Sequence, residues 1–204
     1  MSDPINVHVI DDDDSARESL VFLLDCAGFA PRSYASAEHF LEAAPALTSA
    51  VVISDVRMPG MSGVDLVRHL KQQGAEAPVI VITGHADVPL AIQAMKAGVS
   101  DFIEKPFDDD TLLSAVRSAF RTLTERHALE RERDAINARL ATLSGREREV
   151  LDRLVEGLPN KTIAYDLQIS ARTVEVYRSN VMTKMGANSL SDLVKMAVIS
   201  SIAS

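Results

Sequence analysis

The stretch Ile5–Leu20, INVHVIDDDDSARESL, passes from an apolar strand pattern directly into four aspartates and then into a helical pattern. Adjacent carboxylates repel one another, and more strongly where low-dielectric protein lies beneath them. Asp is a good helix N-cap, and negative charge in a first helical turn is stabilised by about 0.3–1 kcal/mol. That accounts for Asp13 and Asp14, because SARESLVFLLDCAG (15–28) reads as helix. Asp11 and Asp12, at the end of the strand, need another reason.

Downstream the alternation repeats. INVHVI (5–10), APRSYA (30–35), AVVIS (50–54), PVIVIT (78–83) and SDFIE (100–104) read as strands. Helical patterns follow them at 15–28, 36–44, 63–74 and 88–98, and a fifth helix begins near Asp108 to Thr111. Near-continuously apolar strands alternating with helices specify a parallel sheet covered on both faces, an α/β doubly wound fold. The second strand has the weakest pattern and reads as an edge.

In such a sheet the carboxyl ends of the strands border one crevice where ligands bind. Asp11 and Asp12 end the first strand, Asp55 the third, Thr83 the fourth and Lys105 the fifth. Three carboxylates, a hydroxyl and an ammonium therefore converge. Asp11 and Asp12 make sense beside a divalent cation, and oxygen-only ligands favour Mg2+ or Mn2+. Asp55 is then a carboxylate nucleophile able to accept a phosphoryl group. The metal and Lys105 would neutralise developing charge, and Thr83 would hydrogen-bond a phosphoryl oxygen. Taken singly, each residue also reads as a cap, a turn or a strand residue. The sequence has no Gly-x-x-x-x-Gly-Lys-Ser/Thr loop and no His pair at zinc spacing, and His85 reads as a rim histidine without a role.

Charge divides the chain. Residues 1–123 carry 9 basic and 18 acidic residues, 124–143 balance at 4 of each, and 144–204 carry 8 basic and 7 acidic. An acidic first half on a near-neutral second half points to two domains with different partners. The N-terminus lacks a basic region followed by an apolar core, and no apolar run approaches a membrane span. Cys26 stands alone, which excludes an internal disulfide and fits a reducing cytoplasm; beside Leu20, Leu23 and Leu24 it reads as a core thiol.

From Leu123 to Leu143 the chain has neither Pro nor Gly, with Leu129, Ile136 and Leu143 spaced by seven and Leu140 adding a second seam position. This is a helical linker, either a solvated helix with a narrow apolar stripe or a short coiled coil. Four helices follow, at 144–158, 159–169, 170–186 and 189–201, punctuated by Ser144, Gly157 with Pro159, Ser170, Gly186 and Ser189. The short turn between the second and third is helix-turn-helix spacing. On the third, Val174, Tyr177, Val181 and Met185 share a core face, while Glu175, Val176, Ser179 and Thr183 lie opposite, free to enter a major groove. Glu175 suits a cytosine amino group and Val176 a thymine methyl. Lys161, Arg172, Thr173, Arg178 and Lys184 are placed to reach phosphates. A net charge of only +1 fits a generic helical bundle equally well.

Pattern goes further than spacing. VIDDDD, ISDVRMPGMSG, VITG and DFIEKPF together resemble the receiver domain of two-component response regulators over residues 1–123. Residues 143–194 are similar to the LuxR-type DNA-binding domain of the FixJ/NarL family, with LPNKTIA and S-x-x-T-V as its most specific parts. VITGHADVPLAIQAMKAGVSDFIEKPF is most like the FixJ branch. One departure is Tyr177, where that family usually carries His.

The resemblance implies a CheY-like receiver of five parallel strands and five helices at 1–123, a helical linker at 124–143 and an all-α helix-turn-helix domain at 144–204. It implies Asp55 as phosphoacceptor, with Mg2+ or Mn2+ held by Asp12, Asp55 and the backbone carbonyl of Arg57, and Asp11 assisting through water. It further implies a cis bond from Lys105 to Pro106, and Phe102 as an aromatic switch following Thr83. The implied partners are a sensor histidine kinase, double-stranded promoter DNA, and a second copy docked through helix 87–97 and strand 100–104 after phosphorylation. Val88, Ala91, Ile92 and Met95 lie on that helix, divided in an unknown way between core and interface. RNA polymerase is a further candidate partner. The expected place is the cytoplasm. Two other readings stand beside this one: a Mg2+-dependent phosphatase working through an aspartyl-phosphate, and a DNA-binding regulator indifferent to phosphorylation.

Overall fold

The computed structural model describes residues 4–43, 47–84 and 88–201. His85, Asp87 at the start of helix 87–97, and residue 44 at the end of the second predicted helix lie outside the described residues. The chain divides into two compact units, 1–126 and 127–204.

In the first unit, β1 (Asn6–Ile10), β2 (Ala30–Tyr34), β3 (Ala50–Asp55), β4 (Val79–Thr83) and β5 (Asp101–Glu104) form one parallel sheet in the order β2-β1-β3-β4-β5. The weakly patterned second strand is indeed an edge. Between the strands run α1 (Asp14–Cys26), α2 (Ala37–Ala43), α3 (Gly63–Gln72) and α4 (Val88–Ala97), and α5 (Asp109–Ala141) follows the sheet. Successive strand residues face opposite sides. Val7, Val9, Ile53, Ile80 and Ile82 therefore pack with Leu20 and Leu24 of α1 and Leu112 and Val116 of α5. Ile10, Val52, Val79 and Val81 pack with Phe40 of α2 and Val64, Val67 and Leu70 of α3. Register pairs Ile10 with Ser54, Asp55 with Ile82 and Thr83 with Glu104, so the strands end together along one rim.

The start of α1 divides the four aspartates. Asp13 is the N-cap, its carboxylate accepting from the N–H groups of Ser15 at 2.8 Å and Ala16 at 3.1 Å, and Asp14 lies in the first turn. Cys26 differs from expectation: it is exposed. The buried stripe of α1 is Leu20 and Leu24, and a residue two further on is rotated about 200° from it.

The second unit contains α6 (Gly145–Val155), α7 (Asn160–Asp166), α8 (Ala171–Met185) and α9 (Leu190–Ser201). Its core joins Val150, Leu151 and Leu154 of α6, Ile163 of α7, Val174, Val181 and Met185 of α8, and Leu193 of α9. Ile136, near the end of α5, is buried in this same core, with Leu140 and Leu143 packed against it. The apolar stripe of the linker thus serves the helical unit at these three positions and leaves Leu129 exposed. The expected linker, 124–143, lies almost wholly within α5, and its residues from 127 onward fall in the second compact unit.

Ser144 and Glu147 form a capping box at the start of α6. The almost fully buried Glu147 also accepts from Lys184 Nζ at 2.6 Å. Lys184 first, and then the Ser144 N–H, pull its carboxyl from the ordinary 4.5 down to about 2. A carboxyl depressed in the folded state stabilises the fold above its unfolded value, and loses that contribution as pH falls through the folded one. The hydrogen-exchange protection factors of α6 and α8 amides, taken against the unfolded-chain rate at each pH, should therefore fall between about pH 4.5 and 2, and Glu147→Gln should flatten that dependence. A wild-type-like acid profile in the variant would show that this ion pair is not the acid-sensitive element.

Candidate functional site

The rim of the sheet gathers the predicted residues. Asp11 is buried directly after β1, Asp55 ends β3 almost buried, Thr83 ends β4 buried, and Lys105 follows β5. Lys105 Nζ donates to Asp11 Oδ2 and to Asp55 Oδ1, each at 3.0 Å. Asp55 Oδ2 accepts from the Arg57 N–H at 2.6 Å, and Asp11 Oδ1 accepts from the Asp13 N–H at 2.9 Å. Asp12, the next residue after Asp11, is exposed. The peptide bond from Lys105 to Pro106 is cis, as the resemblance implied. Phe102 of β5 is half-buried and packs on the α2–α4 side of the sheet.

Burial is the largest single influence on the Lys105 ammonium and pulls its pKa down. Hydrogen bonds and charge from Asp11 and Asp55 together outweigh it, so the pKa ends above the usual lysine value. Lys105 is thus a fixed cation between two carboxylates. Three carboxylates against one ammonium leave a net double negative charge, which a divalent cation would complement, and the side-chain donors are all oxygen. The residues present therefore fit Mg2+ or Mn2+.

Sequence reasoning missed three supports. Arg17 Nη1 donates to the Asp11 carbonyl at 2.8 Å, and its Nη2 pairs with Asp14, so the first turn of α1 braces the strand end. Ser54 Oγ donates to the Asp55 carbonyl at 3.0 Å. Gly63, the first residue of α3, lies so close that an added Cβ would stand 2.2 Å from the Asp55 carbonyl oxygen. Only Arg17 left a trace in the sequence, three residues after Asp14 on a helix.

In the second unit α7 and α8 are joined by a turn in which Gln168 takes the left-handed conformation, φ 55°. Ser170 caps α8 through the Thr173 N–H at 3.0 Å. Val174, Val181 and Met185 are buried and Tyr177 is half-buried against the same core, so the family departure at Tyr177 leaves the packing intact. Glu175, Val176, Ser179 and Thr183 are exposed on the opposite arc, and Lys161 and Arg172 are exposed beside them. Thr173 bonds Ser170, and Arg178 Nη1 reaches Asn160 Oδ1 at 3.4 Å. Lys184 is placed differently: its ammonium is committed to Glu147 and to the Thr142 carbonyl, at 2.6 and 3.3 Å.

Residues 7–117 match the response regulator receiver domain, and residues 141–197 match the luxR family of bacterial regulatory proteins. The chain belongs to the response regulator family, with a receiver domain followed by a LuxR-type regulatory domain. It is similar to the transcriptional regulatory protein FixJ of Azorhizobium caulinodans, 54% identical over 203 residues that cover 100% of this chain and 96% of that one. The structure of the response regulator StyR matches with a TM-score of 0.82 at 38% identity, covering 97% of this chain and 99% of that one. The crystal structure of full-length FixJ from B. japonicum matches with a TM-score of 0.63 at 49% identity, covering 98% and 99%.

Proposed function

We propose that this chain is a phosphorylation-controlled regulator of transcription in which a sensor histidine kinase donates a phosphoryl group to Asp55. A carboxylate oxygen of Asp55 attacks phosphorus, the bond to the donor nitrogen breaks, and an acyl phosphate remains on Asp55. Asp11, Asp12, Asp55 and the Arg57 carbonyl would hold Mg2+ or Mn2+, which when bound neutralises charge on the transferring group. Lys105 places a positive charge beside Asp55 before the reaction begins. Thr83, buried at the end of β4, supplies a hydroxyl to a phosphoryl oxygen, and Phe102 follows it. One observation carries this reading: a single ammonium 3.0 Å from both Asp11 and Asp55, with both carboxylates backed by the sheet.

The chain's own chemistry is then confined to self-phosphorylation from small donors and slow autodephosphorylation. No helix among the described residues is long and apolar enough to cross a membrane; promoter DNA as the target places the chain in the cytoplasm. Phosphorylation favours a homodimer through α4 and β5. Val88, Ile92 and Met95 are exposed on α4 and supply its apolar surface, while Ala94 is buried beneath them. Pairing matters because one near-neutral helical unit engages few phosphates, whereas two on paired half-sites combine their energies. RNA polymerase is the further partner of such a dimer at a promoter.

We assign base contacts to Glu175, Val176 and Ser179 and phosphate contacts to Lys161, Arg172, Thr173 and Arg178. Lys184 is left out of the reading set because it braces Glu147. Glu175→Ala should relax the preference at one base position by about 1–3 kcal/mol, measured by selecting binding sites from random DNA; an unchanged profile removes Glu175 from the readers. Intact mass after incubation with acetyl phosphate and Mg2+ tests the receiver half. One added phosphoryl group, lost when EDTA is present, is the expected result, and no adduct from acetyl phosphate or from a kinase overturns it.

A further inference from the structure

The segment between β3 and α3 carries Arg57, and its two ends are well held. Arg57 N–H is bonded to Asp55, Val56 N–H donates to the Ile82 carbonyl at 2.9 Å, and Ser62 caps α3. Its middle is bonded across 23 residues to α2, where Glu38 Oε1 accepts from the Met61 N–H at 2.7 Å. The same oxygen lies against Gly60, whose φ is +79° and whose added Cβ would stand 2.5 Å from it. Two features of the loop, a donating N–H and a missing side chain, thus fit one carboxylate. The Glu38 carboxyl is held below its usual range by its own backbone N–H and by that of Met61, so it stays charged at neutral pH. Glu38 is exposed, while Ala37 and Phe40 are the residues with which α2 enters the core. Its bond to the loop is not a by-product of burial.

We propose that Glu38 is a positioning residue for the metal site: it pins residues 60 and 61 and thereby fixes the loop that presents the Arg57 carbonyl. The inference rests on the phosphoacceptor reading of Asp55. It does not make Glu38 a metal ligand. Outer groups that orient a ligand commonly cost 10- to 100-fold in metal affinity when removed. A surface bond acting through four residues of loop belongs at the low end of that range.

The full-length chain and its Glu38→Ala and Glu38→Gln variants would be titrated with Mn2+ alone, free ion being read by electron paramagnetic resonance. Hydrogen exchange of the Met61 amide and the thermal midpoint would be recorded on the same samples. Glu38→Ala should raise the Mn2+ Kd on the order of tenfold and expose the Met61 amide to exchange. Glu38→Gln keeps a carbonyl acceptor and should stay close to wild type on both. Equal Mn2+ affinity in all three chains overturns the inference, and a lowered midpoint with unchanged affinity would reduce Glu38 to a stability contact. A wild-type chain that takes up no Mn2+ would overturn the phosphoacceptor reading, and this inference with it.

Discussion

Replacing Asp55 with Asn removes phosphoryl uptake altogether: incubated with acetyl phosphate and Mg2+, the Asp55→Asn chain keeps its unmodified mass while wild type gains one phosphoryl group. Asn matches Asp in shape but has no anionic oxygen with which to attack phosphorus. The surroundings of Asp55 make the loss complete. Its two oxygens serve two separate donors, Lys105 Nζ at 3.0 Å and the Arg57 N–H at 2.6 Å. Asn offers one acceptor and one NH2 group, so whichever way it turns, one donor faces another donor. The fold should survive. The substitution removes one of two negative charges that share Lys105, and relief of their repulsion offsets part of the lost hydrogen bond. Thermal unfolding close to wild type, together with no adduct, is the expected pair of results. A phosphoryl group found on the variant would move the acceptor to another residue and leave the convergence of Asp11, Asp55 and Lys105 without its proposed purpose.

The features that the sequence disclosed and those it concealed separate along a physical line. Asp11, Asp55, Thr83 and Lys105 were readable because each terminates an apolar run, and parallel strands bring such ends to one rim whatever the connections do. The buried face of α8 was readable for the same reason, since Val174, Val181 and Met185 follow the helical period. Glu38, Gly63 and Lys184 act across connections instead. Met61 comes to Glu38, and Lys184 to Glu147, only through loop geometry and the packing of helices against one another, which no local pattern encodes. Cys26 shows the opposite error. Three leucines nearby suggested a buried face, and Leu20, Leu24 and the half-buried Leu23 do pack inward, but Cys26 is turned away from them. The stripe Ile136, Leu140 and Leu143 was visible as a period, yet nothing in the period specified that it would be met by α6, α8 and α9.

Gly63→Ala should damage both the fold and the chemistry of the first unit, although alanine is the better helix former. Gly63 begins α3 in an ordinary helical start, with Ser62 as N-cap and its own N–H donating to the Val56 carbonyl at 3.2 Å. A Cβ there would stand 2.2 Å from the Asp55 carbonyl oxygen and 2.9 Å from Ser54 Oγ. The nearer atom is backbone at the end of a central strand, so no side-chain rotation relieves the contact. Alanine gains at most about 1 kcal/mol over glycine in a helix, less in a first turn, most of it through the reduced freedom of the unfolded chain. Overpacking against fixed atoms costs about 1–3 kcal/mol or more, and a contact this short belongs at the upper end. The clash wins, and α3 or the end of β3 must shift. A shift of the end of β3 carries Asp55 away from Lys105, a shift of α3 pulls on the loop that carries Arg57, and a misplacement of about 1 Å at a reacting group can cost on the order of 100-fold in rate. The variant should unfold several degrees below wild type, roughly 5 °C on the usual scaling, and should take up phosphoryl from acetyl phosphate at least about tenfold more slowly. Gly145→Ala is the matched control: Gly145 holds the same first position in α6, with nothing within 4 Å of an added Cβ. There only the alanine gains remain, so that variant should be as stable as wild type or slightly more so. If Gly63→Ala behaved like Gly145→Ala in both melting and phosphoryl uptake, the close approach of α3 to the acceptor strand would carry no weight in placing Asp55.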